Sequence, residues 1–350
     1  MRRKRVLTLM IMGVMVMAVL TGGTLSGCRP AAETEMYFIV PEKNSLMECY
    51  IIKTARGKLI VIDGGIAGQG YDAESYIGAA LRAVAGKKAD EPLEVEAWFL
   101  SHAHNDHFHE LGKLMREQIE PGMLKINQFI FDFPPYGTKE FPFEDGDQRD
   151  LDKLKAGFAH YAEVNGIDVP EGTTYYDMLN GAVVNAQTIT AGQEIVIDEL
   201  RFEMMQTWDY SDGRDVNSSS LVFRMHAGDK TVLFLHDLGV SGGKRLLAKY
   251  GEDLKSDFVH MAHHGQAGVS EDVYKAIDAD VRLWGTPIWV WTDPSYYRIG
   301  ETRMWVNDGI DYDTAGPHDI VTCLYKNYPT EPTNPDSWKK VLPEMRIKLK

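Results

Sequence analysis

Four side chains that commonly bind metal ions stand within six residues of this chain. His102, His104, Asp106 and His107 form the pattern H-x-H-x-D-H. Imidazole and carboxylate groups together suit zinc, and also manganese or iron. Four ligands so close in sequence crowd one tetrahedral ion and fit two adjacent ions better, with a water or hydroxide between them. The alternative, a polar loop whose histidines only satisfy local hydrogen bonds, accounts for one histidine but not for this ordered set.

The flanking sequence indicates how this motif is positioned. The apolar run at residues 95–100 predicts a buried strand, and a helical pattern begins near His109. A loop between a strand and a helix can aim several side chains at one point from a rigid scaffold. We therefore expect the motif to lie on a strand-to-helix loop.

Two further segments end in side chains that bind metals. Asp237 follows the apolar run 232–235, and a carboxylate at a strand end can bridge two cations with its two oxygens. His263 and His264 follow the predicted strand 257–262, and Gly265 after them permits close approach of the backbone. Either histidine is a candidate ligand, with His263 preferred because it ends the strand directly.

The remaining patterns predict an α/β (α+β) fold with two sheets sandwiched between helices. Strands are predicted at 36–40, 47–53, 58–62, 95–100, 126–131, 194–197, 200–205, 219–225, 231–235, 257–262 and 281–284. Helices are predicted at 71–85, 148–164, 244–250 and 271–277.

The order of these features resembles the metallo-β-lactamase fold superfamily over roughly residues 36–285. The elements that carry the resemblance are Asp63-Gly64-Gly65 after a strand, H-x-H-x-D-H, a strand ending in Asp237, and a strand ending in the histidine pair. The resemblance implies a four-layer αββα sandwich with a binuclear metal site at one rim, holding two divalent ions, with zinc the first expectation.

The same resemblance implies a role for each matched residue. Asp63 would be the structural aspartate that orders the metal loop. His102 and His104 would hold the first metal, and Asp106 and His107 the second. Asp237 would bridge the two, and one histidine of the 263–264 pair would complete the second metal. Asp106 would also orient the nucleophile and shuttle its proton.

One departure from the family pattern is informative. Many members carry another histidine some twenty residues before the bridging aspartate, but residues 212–222 contain none. Asn217 followed by serines and an apolar strand resembles the branch of competence DNA-uptake channel extracytoplasmic domains and teichoic-acid choline-phosphate esterases. The first metal would then be completed by water, Asn217 or Asp215.

Other candidate site residues are less specific. His236 adjoins Asp237, and His260 lies within the predicted strand 257–262, so each either packs in the core, supports a metal ligand or contacts substrate. Trp291, Tyr296 and Tyr297 belong to an aromatic segment that either packs on the sandwich or forms a wall of the substrate cleft.

The first 27 residues predict a signal peptide. Four basic residues at 2–5 precede an apolar run at 6–20, and Leu25-Ser26-Gly27-Cys28 resembles a bacterial lipobox, which implies lipidation of Cys28. A plain secretory signal and an uncleaved anchor helix are the alternatives. The predicted location is the extracytoplasmic face of the cell membrane, with a lipid anchor.

Charge narrows the range of substrates. The formal charge of −14 becomes −18 without residues 1–27, which hold four basic and no acidic residues. Such a surface repels polyanions, so no stable nucleic-acid partner is expected. Cys49 and Cys323 lie in apolar strand-like contexts and are either two buried thiols or a disulfide pair.

These observations predict a tether at 28–35, a metallo-β-lactamase-like domain at 36–284 with an irregular insertion at 120–215, and an aromatic-rich extension at 285–350. The predicted function is metal-dependent hydrolysis of a phosphodiester-type small-molecule or cell-envelope substrate by a metal-bound hydroxide. The alternatives are a lactonase or β-lactamase and a non-catalytic metal-binding lipoprotein.

Overall fold

The structure is a computed structural model. It describes residues 33–40, 46–66, 75–136, 139, 141, 145–171, 186–209, 215–266, 268–286, 319–322 and 326–349. These residues all belong to the compact unit Ala32–Lys350. The predicted signal peptide, Cys28 and Cys323 lie outside the described residues.

The first sheet has seven described strands in the order β16-β1-β2-β3-β5-β7-β8. Its strands are β1 Glu35–Phe38, β2 Tyr50–Lys53, β3 Leu59–Ile62, β5 Ala97–Phe99, β7 Phe129–Phe131, β8 Ala186–Thr188 and β16 Arg346–Ile347. Strands β3, β5, β7 and β8 run parallel, so their carboxyl ends share one edge. Two short strands, β4 Leu93–Val95 and β6 Leu124–Ile126, form a separate parallel pair.

The second sheet also has seven described strands, in the order β15-β14-β13-β12-β11-β10-β9. Its strands are β9 Glu194–Ile197, β10 Leu200–Gln206, β11 Val222–Ala227, β12 Lys230–Phe234, β13 Phe258–His260, β14 Val281–Trp284 and β15 Asp319–Thr322. Strands β12 to β15 are parallel.

Six α-helices fall within the described residues. They are α1 Ile77–Ala85, α2 Asn105–Glu117, α3 Asp145–Val164, α4 Val240–Tyr250, α5 Glu271–Ile277 and α6 Pro335–Met345. Local sequence explains their ends: Asn334 caps α6 by accepting a hydrogen bond from the Asp336 N–H, with Pro335 in the first turn. None of the described helices is both long and apolar enough to cross a bilayer.

Alternation along the strands produces the layers. In β3, Ile60 and Ile62 face a core shared with the second sheet, whereas Leu59 and Val61 face the core under α1, α2, α3 and α6. The outer face of the second sheet packs on α4 and α5. The predicted four-layer αββα sandwich is therefore confirmed.

Most predicted elements agree with the structure to within a few residues, and 271–277 and 281–284 agree in full. The segment predicted as irregular, 120–215, contributes β7 and β8 to the first sheet and β9 and β10 to the second. Past residue 285, β15 and β16 extend one sheet each. The predicted strand 95–100 divides, because Glu96 interrupts it between β4 and β5.

Candidate metal centre

The predicted site residues follow strands whose carboxyl ends meet at one edge of the sandwich. Asp63 follows β3, and Asp237 follows β12. The H-x-H-x-D-H motif begins after β5 and ends in the first turn of α2, and the histidine pair follows β13. The Leu221 N–H donates to the Ser101 carbonyl at 2.9 Å, which ties the motif loop to the second sheet. The motif therefore lies at a strand-to-helix junction, as its flanks predict, but the helix begins at Asn105 rather than near His109, so Asp106 and His107 belong to its first turn.

One group of ligand atoms surrounds the Oδ1 oxygen of Asp237. His107 Nε2 lies 3.3 Å from this oxygen and His264 Nε2 lies 3.7 Å from it. Asp106 Oδ2 completes the group, 3.1 Å from His264 Nε2 and 3.9 Å from His107 Nε2. These spacings suit donors around one cation, and Asp106, His107 and His264 are all buried.

A second group surrounds the other oxygen of Asp237. His102 Nε2 lies 3.7 Å and His263 Nε2 3.8 Å from Asp237 Oδ2. His104 Nδ1 is 3.1 Å from His102 Nε2. His102 and His263 therefore flank Oδ2, His104 lies beside His102, and His102, Asp237 and His107 are close enough together to hold an ion. We call this side of Asp237 the first position, after the H-x-H pair. The group around Oδ1 is called the second position.

The histidine pair divides between these positions. The sequence left the second position open between His263 and His264 with a preference for His263, and the structure places His264 there. His263 lies instead at the first position, where the family's additional histidine is missing. Asn217 Nδ2 is 3.4 Å from His263 Nε2, while both carboxylate oxygens of Asp215 bond locally, to the Asn217 N–H and the Ser218 hydroxyl.

An unusual backbone makes this division possible. His263 and His264 both adopt left-handed conformations, with φ of 51° and 53°. Gly265 has φ of 76°, and a Cβ there would lie 2.1 Å from the Trp284 ring, so only glycine fits. A left-handed non-glycine residue typically costs about 1–3 kcal/mol and tends to occur at functional sites.

Asp63 orients the motif segment through buried hydrogen bonds. Its carboxylate accepts hydrogen bonds from the Ser101 N–H, the Ser101 hydroxyl and His107 Nδ1, each at 2.8 Å. Burial opposes its ionisation, but the neighbouring His107 and His236 lower the pKa of Asp63 to about 2. With the proton held at Nδ1, the Nε2 lone pair of His107 points into the second position.

The electrostatics of the protein groups match a cation site. Burial opposes ionisation of Asp237, but His107, His264 and His263 hold the pKa of this carboxyl well below its usual range. Burial also favours neutral His264, yet the Asp237 and Asp106 carboxylates raise its pKa to about 9. The pKa of His102 is lowered by burial and by His107. A cation at the second position therefore has to displace protons.

The donor set itself fits divalent cations. His107 Nε2 and Asp237 Oδ1 are buried and form no hydrogen bond with the described residues, although both face the second position. A buried polar atom without a partner is costly, and a bound cation would satisfy both. Nitrogen and carboxylate oxygen ligands suit zinc, manganese and iron alike.

Three more buried side chains, Glu48, His236 and His260, lie next to one another beside Asp63. His236 and His260, which the sequence left ambiguous, are fully buried and both contact the Glu48 carboxylate. Glu48 was not a sequence candidate. A signal was present, since it is the only charged residue in the otherwise apolar or uncharged run 46–52.

The other candidates are placed as follows. Trp291, Tyr296 and Tyr297 lie outside the described residues. Tyr136, from the aromatic loop after β7, is buried and its hydroxyl lies 2.9 Å from the Ser219 hydroxyl, two residues beyond Asn217. The centre is most open at the first position, where the His263 side chain is 26% exposed, against 1% for His264.

The chain belongs to the metallo-β-lactamase superfamily. A model described as "Metallo-beta-lactamase superfamily" matches residues 48–285, more than half of the chain. That range contains every candidate ligand of both positions. No curated protein matches the chain significantly.

Solved structures give distant similarities. CmlA, a diiron β-hydroxylase from Streptomyces venezuelae, is 13% identical with a TM-score of 0.46 over 83% of this chain and 53% of its own. YhfI from Bacillus subtilis, a metallo-β-lactamase fold protein, is 13% identical with a TM-score of 0.39 over 83% and 95%. Zn²⁺-bound PqqB from Methylobacterium extorquens is 12% identical with a TM-score of 0.30 over 68% and 56%. The chain thus spans about half of CmlA, and similarity at this level carries no information on reaction or substrate.

Proposed function

We propose that this protein is a binuclear metal-dependent hydrolase of phosphodiester-type substrates. The observation that carries the proposal is the division of ligands between the two oxygens of Asp237. Each oxygen has two histidine nitrogens of its own within 4 Å. Paired cations that share a carboxylate are well suited to phosphoryl transfer, because they stabilise the attacking and the leaving oxygens of a displacement together.

The protein residues would hold the cations as follows. His102, His104 and His263 would hold one ion with Asp237 Oδ2, and Asp106, His107 and His264 the other with Asp237 Oδ1. When bound, two such ions supply Lewis acidity and lower the pKa of a water toward neutrality. Zinc is the first candidate, and manganese and iron fit the same ligands.

The remaining groups have supporting roles. Asp63 keeps the proton of His107 on Nδ1, so that Nε2 is available as a donor. Asp106 lies at the amino end of α2 and is partly accessible, with 12% of its side chain exposed. That placement suits a carboxylate that orients an incoming nucleophile. Substrate would enter beside His104 and His263, the more exposed side of the centre.

The predicted N-terminal segment suggests where such a hydrolase would act. The lipobox-like sequence at 25–28 supports an extracytoplasmic, lipid-anchored protein. A cell-envelope or small-molecule phosphodiester would be accessible there. The acidic net charge of −14 argues against long nucleic acids as substrates.

A substrate panel tests the proposal. Untagged protein, purified with its metal and analysed for metal content, is assayed with bis-aryl phosphodiesters, lactones and β-lactams. The Asp237→Asn variant, purified in parallel, controls for contaminating enzymes. Phosphodiester turnover that is absent from the variant supports the proposal. Turnover of lactones or β-lactams alone would favour the alternative hydrolase, and metal binding with no turnover would favour the non-catalytic lipoprotein.

A further inference from the structure

A chain of charged and polar side chains runs from the second metal position into the core between the sheets. Glu48, His236 and His260 are each 0% exposed. The aromatic rings around them are apolar: the His236 ring lies 5.5 Å from Phe223 and 5.9 Å from Phe234 between centroids. A buried carboxylate in such apolar surroundings lowers the stability of the fold unless it is paired with a hydrogen-bond donor or a positive charge.

The contacts form a continuous path to a metal ligand. His260 Nε2 lies 2.8 Å from Glu48 Oε2. His236 Nδ1 lies 3.3 Å from Glu48 Oε1 and 3.2 Å from Asp63 Oδ2. The same Asp63 oxygen is 2.8 Å from His107 Nδ1. His236 therefore stands between two carboxylates, one of which orients His107.

The backbone of Glu48 is attached to the metal loop as well. Its N–H donates to the Asp106 carbonyl at 3.2 Å, and its carbonyl accepts from the Gly65 N–H at 2.9 Å. Movement of Glu48 would thus be transmitted to the loop that carries Asp106 and His107. The side chain and the backbone of one residue both act on the second position.

The backbone conformation of His236 is unusual for a residue with a side chain. Its φ is 49°, in the left-handed region that glycine adopts without strain. A bulky residue is retained there at a cost of about 1–3 kcal/mol. The ring recovers that cost only through what it contacts, and its polar contacts among the described residues are Asp63 and Glu48.

We propose that Glu48, His236 and His260 are positioning residues that fix Asp63, and through it hold His107 ready to bind the cation of the second position. This inference rests on the proposed binuclear centre, but it concerns cation affinity rather than turnover. Outer partners of metal-binding histidines typically contribute about 10- to 100-fold in metal affinity. We expect an effect of that size at the second position and little effect at the first.

Two substitutions of His236 separate the ring's polar contact from its shape. Asparagine tolerates a left-handed backbone and places an amide nitrogen where Nδ1 stands. Glycine relieves the strain but removes the donor. We expect His236→Gly to weaken Zn²⁺ binding at the second position by about 10- to 100-fold, and His236→Asn to restore most of that affinity.

Glu48→Gln tests the carboxylate with an isosteric neutral group. Its control is Glu110→Gln, which alters an equally buried carboxylate that instead bonds Ser75 and the Tyr76 N–H. Zn²⁺ affinity is measured by chelator competition on the full chain. In this titration, the Zn²⁺-binding phase that is lost in the His264→Asn variant is assigned to the second position. Thermal unfolding of the metal-free proteins separates loss of stability from loss of affinity.

The outcomes are distinct. Weaker second-position binding in Glu48→Gln and His236→Gly, with unchanged binding in Glu110→Gln and near-normal binding in His236→Asn, supports the inference. Lowered unfolding temperatures with wild-type Zn²⁺ affinity would overturn it and leave the proposed function standing. A wild-type protein with no second-position binding would overturn both.

Discussion

The two histidines of the pair should control different metal ions, although they are adjacent in sequence. His264 Nε2 lies 3.1 Å from Asp106 Oδ2, at the second position, whereas His263 Nε2 lies 3.8 Å from Asp237 Oδ2, at the first. We therefore predict that His264→Asn empties the second position and His263→Asn the first. Asparagine is chosen because it tolerates the left-handed backbone at both residues.

The size of the effect follows from the ligand count. In the proposed centre each position would have four protein donors, one of them an oxygen of Asp237. Structural Zn²⁺ sites with four ligands bind with about 10–16 kcal/mol, or about 3 kcal/mol per ligand, so the loss of one ligand should weaken binding by about 100-fold. The other position keeps all four donors and should retain its affinity to within a few-fold.

Elemental analysis after dialysis against buffered Zn²⁺ measures this directly. We expect the wild type to retain close to two ions per chain and each variant close to one. The double variant should retain none. Equal loss of both ions from either single variant, or no loss from His263→Asn, would refute the division of the pair between two positions.

Three further predictions concern chemistry, stability and location. Asp106→Ala should lower kcat/KM by several orders of magnitude while circular dichroism shows an intact fold, because the residue holds a cation rather than filling the core; near-normal turnover would remove Asp106 from the site. Burial raises the pKa of Glu110 to about 7 from 4.5, so the folded state retains a proton that the unfolded chain releases. The free energy of unfolding should therefore fall by up to about 3 kcal/mol as pH rises from about 4.5 through 7, and the Glu110→Gln variant should lack this fall. Urea unfolding at about pH 5 and about pH 8 measures the difference, and parallel pH profiles of the two proteins would contradict the prediction. Cys28→Ser should release the protein from membranes or leave its precursor unprocessed in fractionated cells, and unchanged membrane retention and processing would point to another anchor.

The sequence was most informative where metal-binding residue types directly follow an apolar strand pattern. The apolar strands and the H-x-H-x-D-H motif predicted the sandwich and placed the motif between a strand and a helix, since both depend on local patterns. The helix begins at Asn105, earlier than predicted, and includes Asp106 and His107. The place of Asp237 beside the motif histidines could be expected because strand ends converge at one edge of parallel sheets.

Other parts of the centre depend on backbone geometry that sequence patterns do not express. Consecutive residues normally point in different directions, so His263 and His264 looked like alternatives for one ligand position. Two successive left-handed conformations place them on different oxygens of Asp237 instead. Glu48 was missed because its partners, His236 and His260, are 188 and 212 residues away in sequence.

Anomalous diffraction from crystals grown with Zn²⁺ tests the central claim most directly. Data collected above and below the zinc edge locate each ion without reference to activity. We predict two peaks, about 3.5–4 Å apart, one beside each oxygen of Asp237. The first should be surrounded by His102, His104 and His263, and the second by Asp106, His107 and His264. A single peak at saturating Zn²⁺, or two peaks that do not share Asp237, would contradict the account.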